Sequence, residues 1–340
     1  MDFCVREAVP ADNAALLALD RQCVVAATTP LMFDRSPDFF ARSRPYANWR
    51  AYVAETPAGL IGVASMALKT VMVGGKPVPA AYFYDLRVAP SFRRMGVAKA
   101  VGDAIRAHAR SLSPAVAYSL VMEGNVPSLA FVQDRGSRPL RSCALDLIPI
   151  ETFPPANPVT PRVLDAAGAW AVLDLSRAAH RGLDLFPFPD AAALLDRIER
   201  LKGVGFRGLY GWESDGMPAG CFGLWDYSPV MRMRVLQATG EWSWAGGRDL
   251  HLVFLVPLGF QGPEGIAPAV RLAVAILRGD TEIGAACVLA IPHDVADPAY
   301  TALDVFRPIR MGFTLFGVDI RGSGEPAIGA RPAFVDPADL

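Results

Sequence analysis

The chain has 340 residues, of which 52 % are hydrophobic and 20 % charged, with a formal net charge of −1 at pH 7. This is enough apolar material for two buried cores at roughly 100–200 residues per domain, and it excludes a disordered chain, which needs low hydropathy and a large net charge. Near-neutrality leaves no overall field to recruit nucleic acid or an acidic membrane, so neither is expected as a partner and any anion site is local.

Cys4, Cys23, Cys143, Cys221 and Cys287 are far apart and form no Cys-x-x-Cys pair, which reads as free thiols in a reducing compartment. His108, His180, His251 and His293 have no partners at metal spacing, so no metal is expected. No basic segment followed by an apolar run opens the sequence, and no apolar stretch is long enough to span a bilayer. The longest apolar run, 250–260, reads as a buried strand. A cytoplasmic protein is expected.

In chain order, residues 3–7 read as a short strand. Pro10-Ala11-Asp12 opens a helix, with Asp12 as cap and Leu16, Leu17 and Leu19 inward. Strands at 51–55 and 60–68 flank the turn Thr56-Pro57-Ala58-Gly59. Gly74-Gly75 makes another turn, and 81–88 is a strand. Residues 96–111 form a helix, with Val97, Val101, Ile105 and His108 or Ala109 on one face. A strand at 115–122, a short helix at 126–134 ended by Gly136, and a strand at 143–148 complete the first half. The expected fold is α/β, a mixed sheet with helices on its faces.

Prolines 154, 155, 158 and 161 break any regular element and mark a linker at 151–161, dividing the chain into domains at 1–150 and 162–340. The second half repeats the plan. Strands at 206–213 and 218–227 flank Asp215-Gly216, and a strand at 250–257 takes the place of 81–88. A helix at 266–278 and a strand at 285–291 follow. Arg310-Met311-Gly312-Phe313 is read as a turn before a strand at 314–320, matching Arg135-Gly136-Ser137. These are two copies of one fold.

The chemistry centres on Arg93-Arg94-Met95-Gly96-Val97-Ala98, which follows a strand and precedes a helix. A diphosphate needs several converging backbone N–H groups, and a helix N-terminus offers unpaired ones with a partial positive charge. Gly96 lets the backbone come close without a Cβ, Ala98 is the next small position, and Arg93 and Arg94 add charge. The competing reading is a basic turn capping an ordinary helix.

The segment Asp85-Leu86-Arg87-Val88-Ala89-Pro90 before this loop, and Asn125-Val126-Pro127-Ser128-Leu129-Ala130-Phe131 after it, resemble the signatures of the GNAT (GCN5-related) N-acetyltransferase family, and the resemblance covers residues 1–150. It implies two tandem GNAT-like acyl-CoA N-acyltransferase domains, with acetyl-CoA as the acyl donor and a small-molecule or peptide amine as acceptor. It also implies a cofactor site in which Leu86, Arg87 and Val88 pair with the pantetheine arm. Arg93, Arg94, Met95, Gly96, Val97 and Ala98 hold the diphosphate, and Asn125, Ser128 and Phe131 face the thioester.

Asp85 is the first candidate for general base and Glu123 the second, with an ion pair to Arg87 or Arg94 as the alternative for Asp85. The sequence departs from the resemblance at Val132, where many members carry a proton-donating Tyr, and at Ser137, where a Phe is usual. The acid is then Ser128, Tyr82, Tyr84, Tyr118 or water, or the thiolate leaves unassisted, or the chain is a non-catalytic acyl-CoA-binding protein. Arg35, Arg42 and Arg44, among the aromatic residues of 27–50, suggest an acceptor with an apolar part and a carboxylate, or else a packed helix pair.

In the second half Gln261-Gly262-Pro263-Glu264-Gly265 takes the loop's place. Glu264 repels a diphosphate and Pro263 lacks an amide, so this copy is expected to be degenerate and to brace the first half or wall its acceptor site. Trp212, Trp225, Trp242 and Trp244 are read as core or pocket wall. Oligomeric state stays open, a homodimer included.

Overall fold

Local turn chemistry sets the first sheet. β3 (Asn48–Thr56) and β4 (Gly59–Val73) are joined through Gly59 at φ +126°, and Gly74 and Gly75, both at positive φ, turn β4 into β5 (Lys76–Val88). The computed structural model describes residues 2–24, 30–153, 162–164, 169–237, 239–262, 265–280, 287–320, 328–329 and 331–340. The Pro-rich run 154–161 therefore lies outside the described residues, as do Thr28, Thr29, Pro263 and Glu264.

The first half continues with β1 (Cys4–Glu7), α1 (Asn13–Arg21), β2 (Leu31–Asp34), α2 (Val97–Ser111), β6 (Val116–Met122), α3 (Val126–Asp134) and β7 (Arg138–Pro149). The expected inner face of α2 is observed. Val97, Val101, Ile105 and Ala109 are buried at helical spacing, against Ala64 and Met66 of β4 and Ala81 of β5. Asp12 differs from its expected role. Its carboxylate accepts from Val9 N and is held by Arg6, closing the turn before α1, and no side chain caps α1 itself. Residues 31–43 form β2 and a 3-10 turn at Phe39–Ser43 in place of a helix pair.

The second half holds β8 (Arg162–Leu164), α4 (Ala169–Ala179), α5 (Ala191–Lys202), β9 (Phe206–Ser214), β10 (Met217–Asp226), β11 (Arg232–Val235), β12 (Asp249–Phe260), α6 (Ile266–Gly279), β13 (Cys287–Asp294) and β14 (Ile309–Gly317). The β9–β10 turn places Asp215 and Gly216 at φ +53° and +74°, as a tight primed turn requires. Trp225 is fully buried and donates from Nε1 to Val204 O at 2.8 Å, so it is core.

The strands form one sheet in the order β1-β3-β4-β5-β6-β14-β7-β13-β12-β10-β9-β8, with β11 bridging β12 and β2. Its two parallel joints, β5–β6 and β12–β13, are each crossed by a helix, α2 and α6. The halves exchange their last strands. β14 lies between β6 and β7, and among the described residues β7 pairs only with β14 and β13. This corrects the reading of Arg310–Phe313 as a turn, because residues 309–317 are one continuous strand. Gly312 faces Ala144 within it, and a Cβ there would lie 2.2 Å from the Glu123 carboxylate, so glycine serves a close approach. The largest buried cluster runs from Leu31, Tyr82 and Leu145 to Trp225, Phe254 and Val335, spanning both halves.

Candidate functional site

β5 and β6 pair in parallel only from Ala80↔Val116 to Tyr82↔Tyr118, and then separate. A bulge accompanies the separation. Ser65 faces Tyr84 and Val63 faces Arg87, so Asp85 and Leu86 together oppose Ala64, with Asp85 at φ +56°. Beyond Tyr82 each strand keeps its outer neighbour, β4 or β14, and leaves its inner edge unpaired. The resulting cleft has a volume of about 180 Å3 and is lined by Leu86, Arg87, Asn125, Ser128 and Phe131, all expected cofactor residues, and by Val132 and Asp85. Phe131 packs on Gly102 of α2, where a Cβ would sit 3.2 Å from its ring. Ser119 Oγ is buried in the cleft wall and has no hydrogen-bond partner among the described residues.

The loop before α2 turns through Arg94 at φ +63° and Gly96 at φ +82°. Alternation of this kind gathers successive amides into an anion-binding concavity. No side chain caps α2, and its first intrahelical bond of this turn runs from Ala100 N to Gly96 O, so the amides of Val97, Ala98 and Lys99 have no helical acceptor. Arg93, Arg94 and Met95 are exposed, and Arg93 Nε donates to Val88 O at 3.4 Å. The Val97 side chain is buried against Gly62, leaving its amide as its contribution. A Cβ on Gly96 would meet nothing within 4 Å, so the left-handed backbone is what the structure itself requires of this glycine.

Asp85 is buried between two guanidiniums. Arg35 donates to it from Nη1 and Nη2 at 2.8 and 2.6 Å, and Arg42 from Nη1 at 2.5 Å. Burial alone would raise this carboxyl, but Arg35 and then Arg42 outweigh it and hold it well below the usual carboxylate range. Such a group is a weak base. The expected partners of Asp85 were Arg87 or Arg94. Its ion pairs run to Arg35 and Arg42 instead, while Arg87 pairs with Asp20 at 3.2 Å. Glu123 is exposed, lies over Gly312, and lines neither this cleft nor the cavity beyond it. Arg44 pairs with Asp38 at the surface.

That neighbouring cavity, of about 120 Å3, shares Arg42, Arg87, Leu120, Met122 and Asn125 with the cleft, so the two meet at the end of β6. Its far walls come from β2, β11, β12 and β14 and from Tyr227, whose buried Oη has no partner at good hydrogen-bond geometry among the described residues. Asp339 and Leu340 also line it. The Asp339 carboxylate accepts from Lys69 Nζ at 2.7 and 2.8 Å, from Tyr118 at 2.6 Å and from Tyr46 at 2.9 Å. Burial, with Asp336 alongside, raises the Asp339 carboxyl despite Lys69. Of the candidate acids, Tyr82 donates to the Asp339 carbonyl, Tyr84 bonds Ser43 Oγ at 2.7 Å, and Tyr118 is engaged as above; Ser128 lines the cleft. The segment 27–50, expected to shape an acceptor site, supplies the β2 wall, and the second half supplies others, as its expected walling role implies; sequence reading missed which residues do so, Tyr227, Asp339 and those of β11 and β14. None carries a local motif, and each reaches the site only through pairings some 200 residues long.

In the second half, β12 and β13 pair in parallel from His251↔Cys287 to Phe254↔Ala290. Aromatic rings bridge their far ends. Phe260 of β12 lies 6.3 Å from Tyr300, and Tyr300 stacks at 5.0 Å on His293 of β13. His180 Nε2 bonds Tyr300 Oη at 3.0 Å and packs on Phe260. A cluster of aromatic and histidine rings therefore stands at the ends of β12 and β13.

Residues 15–136 match the model of the acetyltransferase (GNAT) family. No curated protein matches the chain. Among solved structures, a tandem GNAT protein from the clavulanic acid biosynthesis pathway is 14 % identical and superposes with a TM-score of 0.64, over 95 % of this chain and 100 % of that one. A GCN5-related N-acetyltransferase from Sphaerobacter thermophilus is 17 % identical, with a TM-score of 0.59 over 96 % and 98 %. The N-myristoyltransferase of Saccharomyces cerevisiae, solved with myristoyl-CoA, is 13 % identical, with a TM-score of 0.65 over 99 % of this chain and 83 % of that one. At these identities the likeness is one of fold. Among the described residues no group of three or more His, Cys, Asp or Glu could hold a metal ion, and no helix is long and apolar enough to cross a membrane. Residues 15–136 therefore form a domain of the acetyltransferase (GNAT) family, a family of acyl-CoA-dependent N-acyltransferases, and the chain has the fold of two GNAT-like domains.

Proposed function

We propose that the chain is an acetyl-CoA-dependent N-acetyltransferase with one active site, in the domain 1–150, and that 162–340 is a degenerate copy without a donor site. The observation that carries this reading is the parting of β5 from β6 after Tyr82, next to the uncapped α2 behind Arg93-Arg94-Met95-Gly96. The free edge at Leu86, Arg87 and Val88 suits an amide-bearing pantetheine arm. The amides of Val97 and Ala98, with Arg93 and Arg94, suit a diphosphate. Asn125, Ser128 and Phe131 suit the thioester end. The donor supplies the activated carbonyl carbon; the chain's part is to align an amine with it and exclude competing water. Because Asp85 is a weak base and Glu123 lies outside both cavities, we assign the amine's proton to water in the cleft and give Asp85 the task of holding Arg35 and Arg42 in place.

Calorimetry with acetyl-CoA tests the donor site. Absence of binding at millimolar concentration sinks the proposal, and Gly96→Glu, which adds a carboxylate and a left-handed strain at the loop, is expected to abolish binding. A non-catalytic acyl-CoA-binding protein is the second reading, favoured by Val132, which lines the cleft and cannot donate a proton. Thiol release over a panel of amines separates the two, because a pure binder releases none. A series of acyl-CoAs of increasing chain length settles the preference for acetyl.

A further inference from the structure

The 120 Å3 cavity beyond the end of β6 is not accounted for by a bound donor. Its body is apolar, walled by Phe33, Met231, Met233, Phe254, Met311 and Phe313 from four strands and the turn before β11. Methionine and aromatic walls fit themselves to a bulky apolar group. The polar groups collect at the end shared with the cleft. Arg42, Arg87 and Asn125 line both spaces, and Tyr227, which packs its ring on Phe254 at 5.2 Å, lies in the field of Arg42 and Arg35.

Two details at that end ask for an anion. Among the described residues, the ion pairs of Arg35, Arg42 and Arg87 run to only two carboxylates, Asp20 and Asp85, leaving one positive charge in excess. Arg42 Nε and Tyr227 Oη are both buried; the Arg42 guanidinium lies beside the Tyr227 hydroxyl, but among the described residues neither atom has a partner at good hydrogen-bond geometry. A buried donor left unmade is costly, and an acceptor supplied by a ligand removes the cost. A long acyl chain would bring apolar carbon to this cationic mouth and satisfy neither donor. An α-amino acid has its amine and carboxylate one carbon apart, so both belong at the mouth, while its side chain fills the apolar body.

We propose that this cavity, walled by both halves, is the acceptor chamber, and that its acceptor is a free α-amino acid with a large apolar side chain. The inference rests on the N-acyltransfer reading above. The amine nitrogen attacks the thioester carbonyl carbon, the carbon–sulfur bond breaks, and the proton lost by the amine balances the one gained by the thiolate. The products are an N-acylated amino acid and free CoA thiol.

The test separates the chamber from the donor site. Calorimetry without any acyl donor compares L-phenylalanine and L-methionine with glycine, which lacks the side chain, and with phenethylamine, which lacks the carboxylate. Phenylalanine and methionine are expected to bind at least about 10-fold more tightly than either control. Tyr227→Phe is expected to narrow the gap between phenylalanine and phenethylamine. Met233→Trp, which fills the chamber, is expected to weaken phenylalanine while leaving acetyl-CoA binding unchanged. Equal binding of all four compounds, or no binding at millimolar concentration, overturns the proposal. So does a Met233→Trp variant that loses only long-chain acyl-CoA, which would make the cavity an acyl pocket. Amino-acid binding without acetyl-CoA binding would instead overturn the donor reading and leave the chamber standing.

Discussion

Asp85 holds its backbone at φ +56° and its carboxylate between Arg35 and Arg42, so one residue shapes the strand and pairs with two buried cations. Removing its charge leaves Arg42 without its carboxylate and Arg35 with Asp20 alone. Asp85→Asn is expected to cost about 3–5 kcal/mol, the range for breaking a buried ion pair from one side, and denaturant unfolding measures it. If Asp85 were instead a dispensable base, turnover would vanish with the unfolding midpoint unmoved. His180 gives a second test at this scale. Burial lowers its pKa from 6.5 to about 4, so between those values the unfolded chain takes up a proton that the folded one refuses. Stability therefore falls as pH drops from 6.5 towards 4, by about 3 kcal/mol over the window at 1.36 kcal/mol per unit. Thermal unfolding followed over that range should show the loss. It should be shallower in His180→Phe, which keeps the ring packing on Phe186 and Phe334 without the titrating group.

Gly259 shows what a strand can demand of a single position. In β12 it faces α4, and a Cβ there would meet Ser176 N at 2.5 Å and the Leu175 carbonyl carbon at 2.7 Å, both backbone. Ser176 Oγ also ties α4 to Leu258 O at 2.8 Å, so the helix cannot withdraw freely. Gly259→Val is expected to lower stability by about 1–3 kcal/mol with acetyl-CoA affinity unchanged, since the donor cleft lies in the other half. A shift in donor affinity would show that the halves are coupled through β12. Elements governed by local signals were legible in the sequence: the Thr56–Gly59 and Asp215-Gly216 turns, the Val97–Ala109 face of α2, and the strand–loop–helix order around Gly96. Others depended on distant partners and were not. β2 and β11 have four residues each; β2 exists by pairing with β11 across the chain, and β11 is held between β2 and β12. β7 begins at Arg138, five residues before its apolar run, because β14 pairs there as well. The ion pairs of Asp85 were unreadable for the same reason, since residues 35, 42 and 85 meet only once the sheet is formed.

The exchange of β7 and β14 makes the molecule more than two copies in series. β7 has no strand partner in its own half, because its neighbours β13 and β14 both belong to residues 162–340. Without β14, β6 and β7 stand two strand spacings apart, about 9–10 Å, with nothing between them. Loss of the whole second half also removes Phe313 and Leu315 from the shared core and strips Lys69 of its carboxylates, Asp336 and Asp339. Residues 1–150 hold nearly all of the proposed donor site, yet they are not expected to bind acetyl-CoA as an isolated fragment. The fragment should lack cooperative unfolding and a near-ultraviolet circular dichroism signal, and co-expression with 162–340 should restore both, together with donor binding. The exchange, unlike a flexible tether, ties the shape of the cleft to the presence of the second half. An isolated 1–150 fragment that unfolds cooperatively and binds acetyl-CoA as tightly as the full chain would show that β6 and β7 can close on each other, and that the second half serves the acceptor alone.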